Sequence, residues 1–343
     1  MKKITILTYL LIIFACFIST AQTTVYVSAS GGGDGTSESS PLGNFGNALN
    51  QITSEGDKLV IIGTISTQGI NLTSKSFAFT IEGLDASSTF EGDGGTSRLF
   101  TINGATSADV TFKNLTFLDN NTTLAGGGVL FNNNGGASVT FENCTFSGNS
   151  VTNGAGGGAI WFANGTLNIT NSTFDSNSSS DKAGAIFGQS GTITITNTLF
   201  KSNSVPTKGG AIYALNADFT ITGSTFYDNV TTNTSGANGG AALYVAGAGS
   251  TNSITNCTFF QNRIGLTGNQ DYATIRTDNG TTTVTNSLFY DNKTNNGEGS
   301  PADWGSGPNG TQTFNTSIAQ WISNNIDNID EGTGSITGIK GGG

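Results

Sequence analysis

One phrase recurs along this chain and restricts its fold more than any other feature. Residues 209 to 229, GGAIYALNADFTITGSTFYDN, place Gly-Gly-Ala-Ile ahead of an alternating run that ends in Phe226-x-x-Asn229. The two preceding copies run from Ala183-Gly184-Ala185-Ile186 to Phe200-x-x-Asn203, and from Gly157-Gly158-Ala159-Ile160 to Phe174-x-x-Asn177. Aligned on phenylalanine, the series is Phe117, Phe146, Phe174, Phe200, Phe226, Phe259 and Phe289, with separations of 29, 28, 26, 26, 33 and 30 residues. A weaker eighth copy puts Ile318 and Trp321 at the Phe and Asn positions. Such a period marks a solenoid or a propeller, in which a unit buries its apolar face only against its neighbours.

The content of the unit decides between them. Runs such as Ile193-Thr-Ile195-Thr and Phe219-Thr-Ile221-Thr alternate inward and outward side chains, which is strand periodicity. Paired glycines and Asn-rich turns stop any helix from continuing through the unit. Propeller blades need roughly 40 residues, more than these units have. The sequence therefore predicts an all-β, single-stranded parallel β-helix, one repeat per coil and with coils about 4.8 Å apart. Ile169, Ile195, Ile221, Ile254 and Val284 go inside with the Phe ladder. Asn143, Asn171, Asn197, Asn256 and Asn286 form a ladder three residues before each Phe, interrupted by Gly223. Asn149, Asn177, Asn203, Asn229, Asn262 and Asn292 form another three residues after. Stacked Asn side chains donate and accept to one another, and the glycines allow the bends.

The N-terminus reads as a signal peptide over residues 1–21: Lys2-Lys3, an apolar run from Ile4 to Ile18, and a small-x-small site at Ser19-Thr20-Ala21. That run is short for a membrane span, so no span is expected in the mature chain. Cys16 raises a lipoprotein alternative, which bulky Phe14 weakens. Residues 22–56 read as an N-terminal cap: a strand near Val25 to Val27, then a short capping helix with Leu42, Phe45, Leu49 and Ile52 on one face and Ser40-Pro41 as its start. The β-helix is assigned to 57–321, with less regular coils up to about 110, and an irregular tail to 322–343.

The Gly-Gly-Ala-Ile and Phe-x-x-Asn pairing over about residues 117 to 292 resembles the polymorphic outer-membrane protein repeat of chlamydial surface proteins. Gly127-Gly128-Val129-Leu130, Gly239-Gly240-Ala241-Ala242 and Ala273-Thr274-Ile275 read as degenerate copies. The opening VYVSASGGGDGTSESSPLGNFGNALNQI is similar to the start of pectin-lyase-like β-helix proteins of bacterial surfaces. The resemblance implies a right-handed β-helix, export to the outer membrane surface or medium, and often adhesion. It brings no catalytic residue. Chlamydial members end in a membrane barrel, which nothing between Trp321 and Gly343 supplies, so the chain reads as a possible fragment.

Composition narrows the chemistry. Histidine is absent, which removes Ser-His-Asp and Cys-His catalysis and every His-ligated metal site. Removing Lys2 and Lys3 takes the formal charge from −10 to −12, so nucleic acid and anionic membrane are poor partners. A polysaccharide lyase or hydrolase acting on an acidic glycan is the main alternative function. It needs converging acids and a base, yet Asp119, Asp228 and Asp291 are spread over separate coils, Asp228 about 10 Å from Asp291. Lys182 and Lys208, with Asp181 beside the first, stack in adjacent coils as a candidate anion or uronate contact; the blander reading is a solvated turn whose lysines splay apart. Outward threonines at Thr194, Thr196, Thr220, Thr222, Thr283 and Thr285, with Thr116, Thr145, Thr173, Thr225 and Thr258, suggest ice binding as a minor alternative. Lys113, Glu142 and Asn168 interrupt that array. Cys144 and Cys257 occupy one position of coils too far apart to pair, so buried free thiols are expected. No catalytic, cofactor or metal residue is assigned. The reading is an exported, non-catalytic adhesion, binding or structural module, with glycans or host and neighbour cell-surface molecules as partners and the oligomeric state open.

Overall fold

The computed structural model describes residues 22–104, 109–133, 135–154, 156–232, 239–265, 273–294, 304–315 and 318–319. The expected signal peptide, Trp321 and the 322–343 tail lie outside the described residues. Within them the chain is an all-β parallel solenoid. Every strand pairing is parallel, and strands form a ten-stranded sheet, a seven-stranded sheet of two-residue strands, and an 18-stranded sheet carrying two runs of strands that join through Ile275–Thr285. Among the described residues, no helix is long and apolar enough to cross a membrane.

Register follows the repeat. Phe117, Phe146, Phe174, Phe200, Phe226, Phe259 and Phe289 are successive backbone partners on the ten-stranded sheet. From Phe146 to Phe289 their rings stack at 4.3–4.9 Å between centroids. All are fully buried, as are Ile169, Ile195, Ile221, Ile254 and Val284, which are partners across the 18-stranded sheet. The ladder also extends upstream through Phe90, and Ile65 before it. Those coils lack the flanking phrase, so the sequence did not mark them.

The two Asn ladders differ in kind. Asn143, Asn171, Asn197, Asn256 and Asn286 are exposed and hold left-handed φ of 48–55°, as does Gly223 at 61°. Their first role is conformational, since asparagine tolerates this region better than most residues. The ladder after each Phe is buried and begins at Asn120. Asn149 Nδ2 donates to Asn177 Oδ1 at 2.9 Å and to Phe117 O at 3.0 Å, and the same Asn177 Oδ1 accepts from Asn149 N at 3.1 Å. The pattern repeats through Asn203, Asn229, Asn262 and Asn292. The bend glycines divide labour as well. Gly209 is left-handed at 70°, whereas a Cβ on Gly210 would lie 1.9 Å from Ala241 O.

Three readings need correction. The helix is Phe45–Gln51, started not by Ser40-Pro41 but by Asn44, whose side chain accepts from Asn47 N at 2.9 Å. Leu42 instead bridges Val27, because its backbone pairs with the first strand through Leu42 N to Tyr26 O and Ser28 N to Leu42 O. Leu243, not Ala242, is the partner of Ile212, so that copy is Gly240-Ala241-Ala242-Leu243. In the eighth copy Ala319 faces Phe289 and Ile318 faces Leu288, one residue off the expected alignment.

Candidate functional site

Lys182 and Lys208 are parallel-bridge partners, as the repeat predicts, and Lys208 is bridged in turn to Gly239. Both lysines are part-exposed, with Lys182 Nζ 3.6 Å from Asp181, and each also lies over an aromatic ring. The outward position after each Leu or Ile of the bend carries an aromatic: Phe131, Trp161, Phe187, Tyr213 and Tyr244 are successive register partners, followed by Arg276. Lys182 Nζ lies 5.8 Å from the Tyr213 ring centre and Lys208 Nζ 4.6 Å from that of Tyr244, with Arg98 at 4.1 Å from Phe131. Phe187, Tyr213 and Tyr244, with Trp161 packed against them, form a small second apolar cluster outside the main core. Cations resting on ring faces are attracted by the ring quadrupole.

Asp278 sits where register with the last strand shifts, between Thr277 and Asn279, and this re-aims its carboxylate at the cluster. It accepts from Arg276 Nε at 2.6 Å and from the Tyr244 hydroxyl. Burial holds Lys208 below the ordinary lysine value against the pull of Asp278, and burial raises Asp278 against the pull of Lys208. Burial also pushes the Tyr213 hydroxyl up to about 12. Such a set holds acid–base chemistry in principle. However, Tyr244 is fully buried and Arg276 is 8% exposed, so the inner members serve packing.

A different surface is open. On the outer face of the ten-stranded sheet, Tyr227, Phe260 and Tyr290 are register partners one residue after the ladder Phe. Their rings stack at 5.4 and 5.5 Å, and Tyr290 is 48% exposed. Beside them runs a groove of about 290 Å³ lined by Tyr227, Asp228, Gln261, Arg263, Asp291 and Lys293. Asp228 and Asp291 lie in alternate coils with Gln261 between, all three at left-handed φ of 52–54°. The fold therefore does place these two acids on one groove, though separately bound. Asp228 pairs with the Arg263 guanidinium, while Asp291 accepts from Lys293 at 2.6 Å and from Gln261 Nε2 at 2.8 Å. The Lys293 and Gln261 hydrogen bonds hold Asp291 below the usual carboxylate range. The sequence signal was present as the doublets Phe226-Tyr227, Phe259-Phe260 and Phe289-Tyr290, where earlier copies have Leu118, Ser147, Asp175 and Lys201.

The other candidates are plainly placed. Asp119 lies coils away from the groove, and no group of three or more Cys, Asp or Glu among the described residues converges as a metal site. The outward threonines are in register. Their rows are broken by the Lys113–Glu142 ion pair at 2.9 Å, and by Leu199 and the 42% exposed Leu288. Cys144 and Cys257 are buried free thiols.

The segment from left-handed Asn197 through Phe200 and Asn203 to the bend at Gly209–Ile212 is the greater part of one 26-residue coil, which the strand Asp218–Thr222 completes. The Chlamydia polymorphic membrane protein (Chlamydia_PMP) repeat matches residues 197–215. The chain carries that repeat on a parallel β-helix. No curated protein and no solved structure matches the chain.

Proposed function

We propose that this chain is an exported cell-surface or secreted β-helix acting as a non-catalytic binding or adhesion module. The observation that carries the reading is the membrane-protein repeat, matched over residues 197–215 and continued by register through the neighbouring coils. A repeat shared with membrane proteins supports placement at the outer surface. Its recurrent residues support a scaffold role, because Phe and Ile fill the core, Asn links coils and Gly turns them. What varies is the outward surface, which is where a solenoid binds. Protease treatment of intact cells should cleave the protein, while a cytoplasmic marker stays whole; protection of the protein in unbroken cells would overturn the surface assignment.

A polysaccharide lyase or hydrolase is the second reading, favoured by the half-buried Lys208 beside Asp278. The open groove gives it less support, since a glycosidase needs one carboxyl held protonated and Asp291 is shifted the other way. Incubation with pectate, alginate and glycosaminoglycans, followed by ultraviolet absorbance and reducing ends, should show no turnover. Turnover abolished by Lys208→Ala or Asp278→Asn would replace the non-catalytic reading.

A further inference from the structure

We propose that the strip formed by Tyr227, Phe260 and Tyr290, with the groove beside it, binds a neutral, extended polysaccharide lying along the solenoid axis. This deepens the binding reading above and rests on it for its biological setting.

Three features select this ligand. The rings stack face to face at 5.4 and 5.5 Å intervals along the axis, so they turn a continuous apolar edge outward whose period suits the successive rings of an extended sugar chain. Tyr and Phe bodies supply apolar contact, and the tyrosine hydroxyls supply polar tips for sugar hydroxyls. The groove wall is the second feature. Asp228, Gln261 and Asp291 form an axial row of acceptors and an amide, and Arg263 and Lys293 supply donors. Because Asp228 is paired with Arg263 and Asp291 with Lys293, the wall offers hydrogen bonds with its charges already matched. A charged ligand would have to break those pairs, whereas hydroxyls join them. The third feature is repetition: one aromatic and one polar group per coil is a polymer's recognition pattern, with one binding element per ligand unit.

A second protein is a poorer occupant. Three aromatic side chains bury about 450–750 Å² when fully covered, and Tyr227 and Phe260 are already half-buried. That falls short of the roughly 800 Å² per partner of a standard interface.

Isothermal titration of the full chain with cellohexaose, xylohexaose, mannohexaose and hexagalacturonate tests the proposal. At least one neutral hexaose should bind, and more tightly than hexagalacturonate. Tyr227→Ala and Tyr290→Ala should each weaken it by about tenfold or more, as for truncated aromatic anchors. Tyr290→Phe should retain most of the affinity. Leu124→Ala, at an exposed leucine elsewhere, should change nothing. Urea midpoints of each variant separate lost binding from lost folding. Four results would overturn the assignment: no neutral hexaose bound, tighter binding of hexagalacturonate, affinity unchanged in both alanine variants, or self-association that Tyr290→Ala abolishes. Each leaves the cell-surface protease result untouched, so failure of the glycan assignment is distinguishable from failure of the surface reading.

Discussion

At the scale of single residues, asparagine plays two roles that the repeat places six positions apart. Asn203 is buried; its Oδ1 accepts from Asn177 N and Nδ2, while its Nδ2 donates to Asn229 Oδ1 and Phe174 O. Asn203→Ala strands several buried groups at once, and should cost about 2–4 kcal/mol by urea unfolding, given about 1–3 kcal/mol per unsatisfied group. Asn197 is exposed at φ 49°, so Asn197→Ala should cost only about 1 kcal/mol, and Asn197→Gly about 0.5 kcal/mol or less. Equal losses for the two alanine variants would erase the distinction. Cysteine makes a related point. Burial pushes the Cys144 thiol from 9.0 up to about 12 and that of Cys257 up to about 11. Folded values above the unfolded one mean a contribution fully present below pH 9 and lost as pH rises through the folded values. Neither thiol should therefore react with a disulfide reagent near pH 8 in the native protein, and both should react in urea; native labelling at the rate of a free thiol would contradict their burial.

At the scale of elements, the short helix Phe45–Gln51 is held by charged groups that the sequence did not flag. Buried Lys75 donates to Leu49 O at 2.9 Å and to Ile52 O at 2.5 Å, which satisfies carbonyls at the helix C-terminus. Asp57 accepts from Thr23 N at 2.9 Å and from Thr53 N and Ser54 N at 2.8 Å, tying the first strand to the helix exit. Burial alone would raise the Asp57 pKa, but those three bonds and the Lys75 charge together bring it below 3.8. A depressed folded value gives stability that is present above the ordinary carboxylate range and lost as pH falls through the folded value. The stability gap between the wild-type chain and Asp57→Asn should thus shrink from about pH 7 to about pH 3; a gap constant with pH would refute this. The helix start was misread because the apolar spacing of Leu42 belongs to a strand bridge. The regular coils, by contrast, were legible because identical side chains stack only at equivalent backbone positions, so Phe200 or Ile195 states its own register. The opening coils at Ile65 and Phe90 carry the same geometry without the phrase. The lysine pair was legible as neighbours, but its aromatic bed and Asp278 were not, since these depend on which outward rows other segments cover and on a local register shift. The groove was written in the aromatic doublets, yet a position that varies from Leu118 to Lys201 to Tyr290 has no ladder signature.

At the scale of the whole molecule, a solenoid has two ends, and each exposes core and unpaired strand edge unless something covers it. Residues 22–56 are proposed as the cover at the start. Strand Thr24–Ser28 pairs with Lys58–Ile62, and Phe45 packs its ring against Phe90 at 5.3 Å and Phe100 at 6.1 Å. Deleting residues 22–56 should therefore uncover Leu59, Ile61, Phe90 and Phe100 together. The truncated protein should self-associate in sedimentation and bind a hydrophobic dye, and the full chain should do neither. Because coupling in a solenoid runs mainly between neighbouring coils, damage should stay local. Amide exchange should accelerate at Ile61 and Ile81 while Ile221 and Ile254 keep their protection. A truncated chain that remains monomeric with an unchanged melting midpoint would show that 22–56 is an accessory segment, and that the coil beginning at Lys58 closes the solenoid by itself.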